Sequence, residues 1–335
     1  MNNSQQVMRE WANRLNAFGA AGEACFFLVD FEQARPQVWC KLEEQTGAPA
    51  FSFPNRQDYT TPPPGRPEAT ISPTHISTKD FRRAFDTVQT GLQRGDSFLT
   101  NLTFPVPVNL NCSLDDIYQQ SEARYRILWP GHFVCFSPET FVTIDTAGYI
   151  ESRPMKGTAL DTDAARHDLL TSRKEIAEHA TIVDLIRNDL SQVAKRVRVT
   201  DYRYFHEIAS SRGLVQTSSK IGGQLPDDWK SRLGDLLADL LPAGSISGAP
   251  KPATLDLIRR AEGQQRGFYC GIGGYFDGKT VDTCVLIRFI EERADGSHHF
   301  RSGGGITARS KWRDEYEELK AKVRIPLAIS GFSLH

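Results

Sequence analysis

The run His132-Phe-Val-Cys-Phe-Ser-Pro-Glu-Thr-Phe-Val-Thr-Ile144 holds two β-rich segments, residues 132–136 and 140–144, on either side of a Ser-Pro-Glu break. β-Branched and aromatic residues favour a pleated, half-buried surface, and proline has no N–H to give to a central ladder. Working outward, residues 24–30 (Ala-Cys-Phe-Phe-Leu-Val-Asp) and 281–290 read as further strands. Hairpin-like pairs outnumber clean βαβ units. This predicts an α+β fold, a sandwich of two mostly antiparallel sheets with helices, over a doubly wound one.

Helical periodicity falls between these strands. Residues 7–18, 78–94, 173–193 and 312–323 read as helices; in the second, Phe81, Phe85, Val88 and Leu92 form one stripe and Ser77 or Thr78 can cap it. The linker Thr60-Thr-Pro-Pro-Pro-Gly-Arg-Pro67 interrupts the pattern, because its prolines fix φ and remove donors. It divides a reduced N-terminal segment, residues 1–67, from a main domain, residues 68–335. The N-terminal segment is expected to pack on that domain.

Composition narrows the function. The 335 residues carry 40 Lys+Arg against 41 Asp+Glu, a net charge of −1, so a basic footprint for nucleic acid or an anionic membrane surface is missing. No uncharged apolar run reaches the ~18 residues of a membrane span. Arg9, Glu10 and Arg14 interrupt the N-terminus, where a signal peptide needs about 7–15 continuous apolar residues. The six cysteines are scattered without a CxxC pair, the pattern of reduced thiols in a cytoplasmic protein.

Four constellations could carry chemistry. Glu175 and Glu178 share a helix face, and Glu315 and Glu318, with Lys322 one turn on, repeat the device. Two such faces could gather oxygen ligands around Mg²⁺, although the same spacing also describes solvated faces. The loop Gly244-Ser-Ile-Ser-Gly-Ala-Pro-Lys251 precedes a helix, so it is either an anion cradle or an ordinary helix start with Pro252 in the first turn. Gly303-Gly-Gly305 allows close backbone approach, or marks a bulge. Lys156, between Pro154 and Gly157, is a surface lysine or a nucleophile held in a closed site; Glu139 is a possible acid or base.

Taken in chain order, these segments resemble the chorismate-utilising enzymes, which include anthranilate, aminodeoxychorismate, isochorismate and salicylate synthases. The matching residues are Ser137-Pro-Glu139, Pro154-Met-Lys-Gly-Thr158, Glu178 with Val183-Asp-Leu-Ile-Arg-Asn-Asp189, and Gly244 to Lys251. They continue with Tyr269-Cys-Gly-Ile-Gly-Gly-Tyr275, Ile287-Arg288, Gly303-Gly-Gly-Ile306 and Glu315-Tyr-Glu-Glu318 with Lys322. The resemblance implies one large domain of two antiparallel sheets flanked by helices, with Mg²⁺ and chorismate in a cleft. The pattern is closest to a short aminodeoxychorismate synthase component I, because Lys156 stands where anthranilate synthases carry alanine. Isochorismate and salicylate synthases place a general-base lysine at the position of Leu99, and leucine cannot take a proton from water.

The implied roles are specific. Mg²⁺ falls to Glu178 and Glu318, with Glu175 and Glu315 behind them or acting through water. Lys156 is the covalent nucleophile and Glu139 the acid, also the nearest candidate to take the lysine's proton. Tyr269, Arg288 and the backbone of Gly303, Gly304 and Gly305 bind the enolpyruvyl carboxylate, completed by Ser245 and Lys322. Two departures accompany the match: Gly213, in Arg212-Gly-Leu-Val-Gln216, stands where relatives carry a histidine, and Leu99 where many carry glutamine. No G-x-C-x-G turn surrounds a cysteine, so ammonia is expected from a separate glutamine amidotransferase (component II), and 4-aminobenzoate release from a separate aminodeoxychorismate lyase. Anthranilate synthase component I is the alternative enzyme, and a catalytically inactive binding subunit is the alternative of another class.

Overall fold

A computed structural model describes residues 3–41, 45–56, 67–207 and 213–327. The linker prolines at 62–64 and Arg212 lie outside the described residues. Helix α1 (Asn3–Ala21) precedes β1 (Cys25–Val29), β2 (Gln37–Cys40), β3 (Ala50–Ser52) and β4 (Ile71–Pro73), and α2 (Thr78–Arg94) leads into β5 (Leu99–Leu110). After α3 (Leu114–Gln120) come β6 (Tyr125–Trp129), β7 (Phe133–Ser137), β8 (Thr140–Ile144), β9 (Tyr149–Ser152) and β10 (Met155–Leu160). Helices α4 (Asp163–Thr171) and α5 (Arg173–Leu190) separate these from β11 (Lys195–Glu207) and β12 (Leu214–Gln224). The C-terminal third holds α6 (Leu233–Asp239), α7 (Gly244–Ser247), β13 (Gly248–Ala249), α8 (Lys251–Glu262), β14 (Ile272–Phe276), β15 (Val281–Val285), β16 (Phe289–Glu292), β17 (His298–Ile306) and α9 (Trp312–Ala321).

The strands form two sheets. The nine-stranded one runs β10-β12-β9-β8-β15-β14-β1-β2 with β11 on β12, and the eight-stranded one runs β13-β5-β17-β16-β7-β6-β3 with β4 on β5. Every pairing among the described residues is antiparallel. The N-terminal strands β1 and β2 lie in the larger sheet and β3 in the smaller.

The Ser137-Pro-Glu139 break is a change of sheet: β7 lies in the smaller sheet and β8 in the larger. The run 281–290, expected as one strand, divides in the same way into β15 and β16. Arg288 provides the kink with φ +54, a conformation L-residues seldom adopt. The two changes of sheet sit side by side. Phe136 N donates to Arg288 O at 3.0 Å, and Val285 N donates to Glu139 O at 3.1 Å. One antiparallel ribbon therefore passes through both sheets and bends between Glu139 and Arg288.

One apolar cluster fills the space between the sheets, with Phe26, Phe51, Phe133 and Phe289, and continues through Phe27 and Phe276 on the other face of the larger sheet onto α1, α5 and α6. A second joins the other face of the smaller sheet to α2, α3 and α9, and includes the expected Phe81, Phe85, Val88 and Leu92 stripe. Ser77 caps α2, accepting from Asp80 N at 3.2 Å. None of the six cysteines forms a disulfide. Among the described residues no helix is long and apolar enough to cross a membrane.

The α1–α6 contact gives a direct test of packing. A Cβ at Gly234 would lie 2.2 Å from Ala12 O and 2.5 Å from Ala12 Cα, and neither is the end of a flexible side chain. Overpacking of this kind costs about 1–3 kcal/mol, against a gain of up to about 1 kcal/mol from replacing a helical glycine. Because backbone must move, the cost wins. Gly234→Ala is expected to lower the urea midpoint at unchanged m-value; an equal or higher midpoint would show that the two helices are not in this contact.

Candidate active site

The bent ribbon delivers Glu139 and Arg288 to one edge of the sandwich. Glu139 N donates to Ser137 Oγ at 3.1 Å, which fixes the turn after Pro138. Burial raises the Glu139 carboxyl above its usual range, opposed by a hydrogen bond from Ser245 and by the positive charge of Lys156. A small pocket opens beside it, lined also by Ser152, Pro154, Asp189, Gly244 and Ser245. Within the Gly244–Lys251 segment the lysine is already engaged. The segment builds α7 and β13, and Lys251 Nζ is bound to Asp189 Oδ2 at 2.9 Å and to Leu240 O at 3.3 Å.

Lys156 lies on β10 where the pairing with β12 shifts register, between Lys156 and Thr158. Gly157 makes this possible twice over: its φ is +76, and a Cβ there would stand 2.6 Å from Glu175 Oε2. Thr217 Oγ1 donates to Lys156 O and holds the bulge. The ammonium reaches Glu178 Oε2 at 3.0 Å, with the two side chains 30% and 13% exposed, so a small molecule could reach the pair. Lys174 Nζ lies 3.9 Å from the other oxygen of Glu178. The carboxylate in contact with Lys156 is therefore Glu178, whereas the sequence pointed to Glu139.

Helix α9 brings the second pair. Lys322 Nζ binds Glu318 Oε1 at 2.7 Å and donates to Gly303 O at 2.7 Å. Arg288 Nη1 donates to Lys322 O at 3.0 Å. Burial lowers the Arg288 guanidinium from its ordinary value, and Arg324 lowers it further. Tyr269 is buried within electrostatic reach of Arg288, and burial pushes its phenol well up. Glu315 is raised by burial and by its neighbour Glu318, against a hydrogen bond from Ser310. Burial acts on Glu318 in the same sense, yet the charge and hydrogen bond of Lys322, with Lys156 and Lys174 beyond, bring its carboxyl below the usual range.

These couplings place the two Glu-x-x-Glu faces across one cleft, and β17 supplies its floor. A Cβ at Gly304 would come within 3.5–3.7 Å of Lys322 Nζ, Glu315 Oε2 and Glu318 Oε1, and one at Gly305 within 3.6 Å of Lys156 Nζ and 3.2 Å of Leu99 Cδ1. A second small pocket lies here, bordered by Gly303, Gly304, Glu315, Glu318 and Lys322. Among the described residues no three His, Cys, Asp or Glu side chains are gathered tightly enough to hold a metal. Glu178 and Glu318 are instead each held by a lysine. The donors available in the cleft are nonetheless all carboxylate oxygens, the chemistry a hard divalent cation takes.

Gly213, at the position where relatives carry a histidine, is an exposed turn residue at φ +78, a conformation that would strain any side chain. Gln216 sits on β12 opposite Thr158, next to the bulge. The sequence reading assigned no role to Lys174, although its i,i+4 spacing to Glu178 was visible. It also passed over the buried pair Arg266–Glu262, for which an i,i+4 spacing alone gives no sign of burial.

Residues 10–328 match the family described as chorismate binding enzyme. The chain is 45% identical over 329 residues to an uncharacterized PabA-like protein of Haemophilus influenzae, covering 97% of this chain and 98% of that one. It is 33% identical over 261 residues to aminodeoxychorismate synthase component 1 of Salmonella typhimurium, covering 73% of this chain and 56% of that one. Anthranilate synthase component I from Streptococcus pneumoniae has the same fold, with a TM-score of 0.65 at 26% identity over 80% of this chain and 61% of that one. Because the family match runs from inside α1 to beyond α9, through both sheets and the cleft between the glutamate faces, the chain belongs to the chorismate binding enzymes.

Proposed function

We propose that the chain is an aminodeoxychorismate synthase component I, converting chorismate and ammonia to 4-amino-4-deoxychorismate and water. The observation that carries this reading is Lys156, whose amine stands 3.0 Å from Glu178 in the cleft and close to the space left by Gly305. An amine so held can act as a covalent nucleophile. By resemblance, anthranilate synthases carry alanine at that position, so the lysine favours amination at C4 over C2.

Arg288, Tyr269 and the Gly303–Gly305 backbone would receive the enolpyruvyl carboxylate, with Ser245 and Lys322 completing the carboxylate contacts. Glu178 and Glu318 would hold Mg²⁺, backed by Glu175 and Glu315, and the ion would supply positive charge for the ring carboxylate. Lys156 would pass a proton to the neighbouring Glu178 carboxylate before it adds at C2, and Glu139 would deliver one to the C4 hydroxyl, which departs as water. Burial suits Glu139 to this, because it raises the carboxyl's affinity for a proton. Ammonia then adds at C4 and expels Lys156, which recovers its proton from the incoming nitrogen. Two allylic displacements replace one difficult substitution.

Ammonia would come from a glutamine amidotransferase subunit in the cytoplasm, and a separate lyase would release 4-aminobenzoate for folate synthesis. Two of the buried cysteines are unsuited to the nucleophile of a glutaminase, which supports an external one. Burial pushes the Cys25 and Cys270 thiols up to about 12, the opposite of what a nucleophilic cysteine needs.

Three outcomes test this reading. Lys156→Ala should retain chorismate binding by calorimetry and lose aminodeoxychorismate formation by about 100-fold or more, with any residual product shifting toward anthranilate. Wild-type rates of aminodeoxychorismate formation in that variant would overturn covalent catalysis. Glu178→Gln and Glu318→Gln should each lower turnover at limiting Mg²⁺ by about 100-fold while the melting temperature stays within a few degrees; undiminished activity in both would remove them as metal ligands. The purified chain should make product with an ammonium salt at alkaline pH and none with glutamine alone, read by coupling to a lyase. Robust turnover with glutamine would reveal an amidotransferase site within this chain.

A further inference from the structure

Arg266 and Glu262 form an ion pair at 2.6 Å in which both side chains are only 1% exposed. A buried ion pair is weak evidence of stabilisation, since apolar replacements of similar volume are often neutral or better. The reason to keep one here lies in what else the pair holds. Arg266 Nη1 donates to Ile246 O at 3.0 Å and Nη2 to Asn101 O at 2.6 Å. Glu262 Oε1 accepts from Thr103 N at 2.8 Å.

Each of these backbone groups adjoins the cleft. Ile246 follows Ser245 in α7. Asn101 is the β5 partner of Gly305, and Thr103 that of Gly303. Arg266 itself leads three residues on to Tyr269, and its guanidinium rests 4.3 Å above the Phe31 ring. Glu32 closes the loop from the other side, its two oxygens accepting from Arg266 N at 2.8 Å and Gly267 N at 3.0 Å.

We propose that Arg266, oriented by Glu262, is a positioning residue that sets the spacing between the Ser245 turn and the glycine strand, and so the width of the cradle for the carboxylates of chorismate. The inference rests on the reading that Ser245 and Gly303–Gly305 bind the substrate. Only a planar fork can serve both carbonyls and the carboxylate together, so lysine is not an equivalent residue.

The test is chorismate affinity by calorimetry, with KM and kcat measured alongside, in Arg266→Lys and in the double variant Arg266→Met with Glu262→Leu. The double variant removes both charges and leaves none orphaned in the interior. In each, the dissociation constant and KM are expected to rise by about tenfold or more, while kcat at saturating chorismate falls much less. A purely structural pair would lower the melting temperature and the active fraction and leave KM and affinity unchanged, and that result would overturn the proposal. Loss of the fold in both variants would show the pair to be a folding determinant and would equally overturn it. The outcome is separable from the aminodeoxychorismate reading: if the wild type binds chorismate but yields another product, that reading fails, while the affinity ratio still decides the role of Arg266.

Discussion

Two hydrogen bonds at the bend of one β-ribbon, Phe136 N to Arg288 O and Val285 N to Glu139 O, are the constraint from which the cleft follows. The ribbon β7–β8 and β15–β16 takes part in both sheets, so the sheets cannot slide over each other without breaking it. At the bend the backbone leaves one ladder before it has joined the next. Such a place is costly unless its polar groups find partners, and here the two changes of sheet satisfy each other. The same bend carries Glu139 to Ser245 and Lys156, and Arg288 to the backbone of Lys322. The fold and the site are therefore produced by one local arrangement.

The electrostatics of the cleft are those of a surplus of carboxylates held in check. Glu315 and Glu318 share a helix face, yet their carboxyls shift in opposite directions. Glu318 has Lys322 at 2.7 Å, whereas Glu315 has a hydroxyl and the weaker pull of Lys174 and Lys322 against burial and the like charge of Glu318. Proximity to a cation, more than burial, decides which of two neighbouring carboxylates stays ionised. Lys156 binds Glu178 on α5 and Lys322 binds Glu318 on α9 and Gly303 O on β17, so each glutamate face carries its own neutralising cation.

Much of this was legible in the sequence. The α2 stripe, the Ser77 cap and the strand 140–144 follow from periodicity and capping chemistry alone. The order of short segments along the chain pointed to the family, and nearly all of the residues it singled out meet in or beside one cleft. What could not be read were facts of long-range geometry. The run 281–290 is rich in apolar residues throughout, because both of its sheets are buried, and no glycine or proline marks the change of sheet at Arg288. Strand β5 contains Pro105 and Pro107, which argue against a central strand. They are tolerated because β13 covers only residues 99–100 and β4 only residues 108–110, leaving the proline stretch an edge on that side. The contact of Lys156 with Glu178 in place of Glu139 depends on the Gly157 bulge, which turns the lysine toward α5.

Leu99 shows how little separates one chemistry from another in this cleft. Its Cδ1 and the Lys156 ammonium approach the same missing side chain of Gly305, at 3.2 and 3.6 Å from where a Cβ would stand. A basic side chain at position 99 would face Lys156 across that gap. It could activate water there, and water would then compete with any other nucleophile for the ring. Leucine offers no proton acceptor, is almost wholly buried, and covers this wall of the cleft with hydrocarbon. Under the proposed amination this wall would withhold help from water and leave an amine free to react, because ammonia arrives already nucleophilic and needs no base to create it. In that reading the hydrocarbon at position 99 and the amine at position 156 would act in the same direction, favouring amination over hydration.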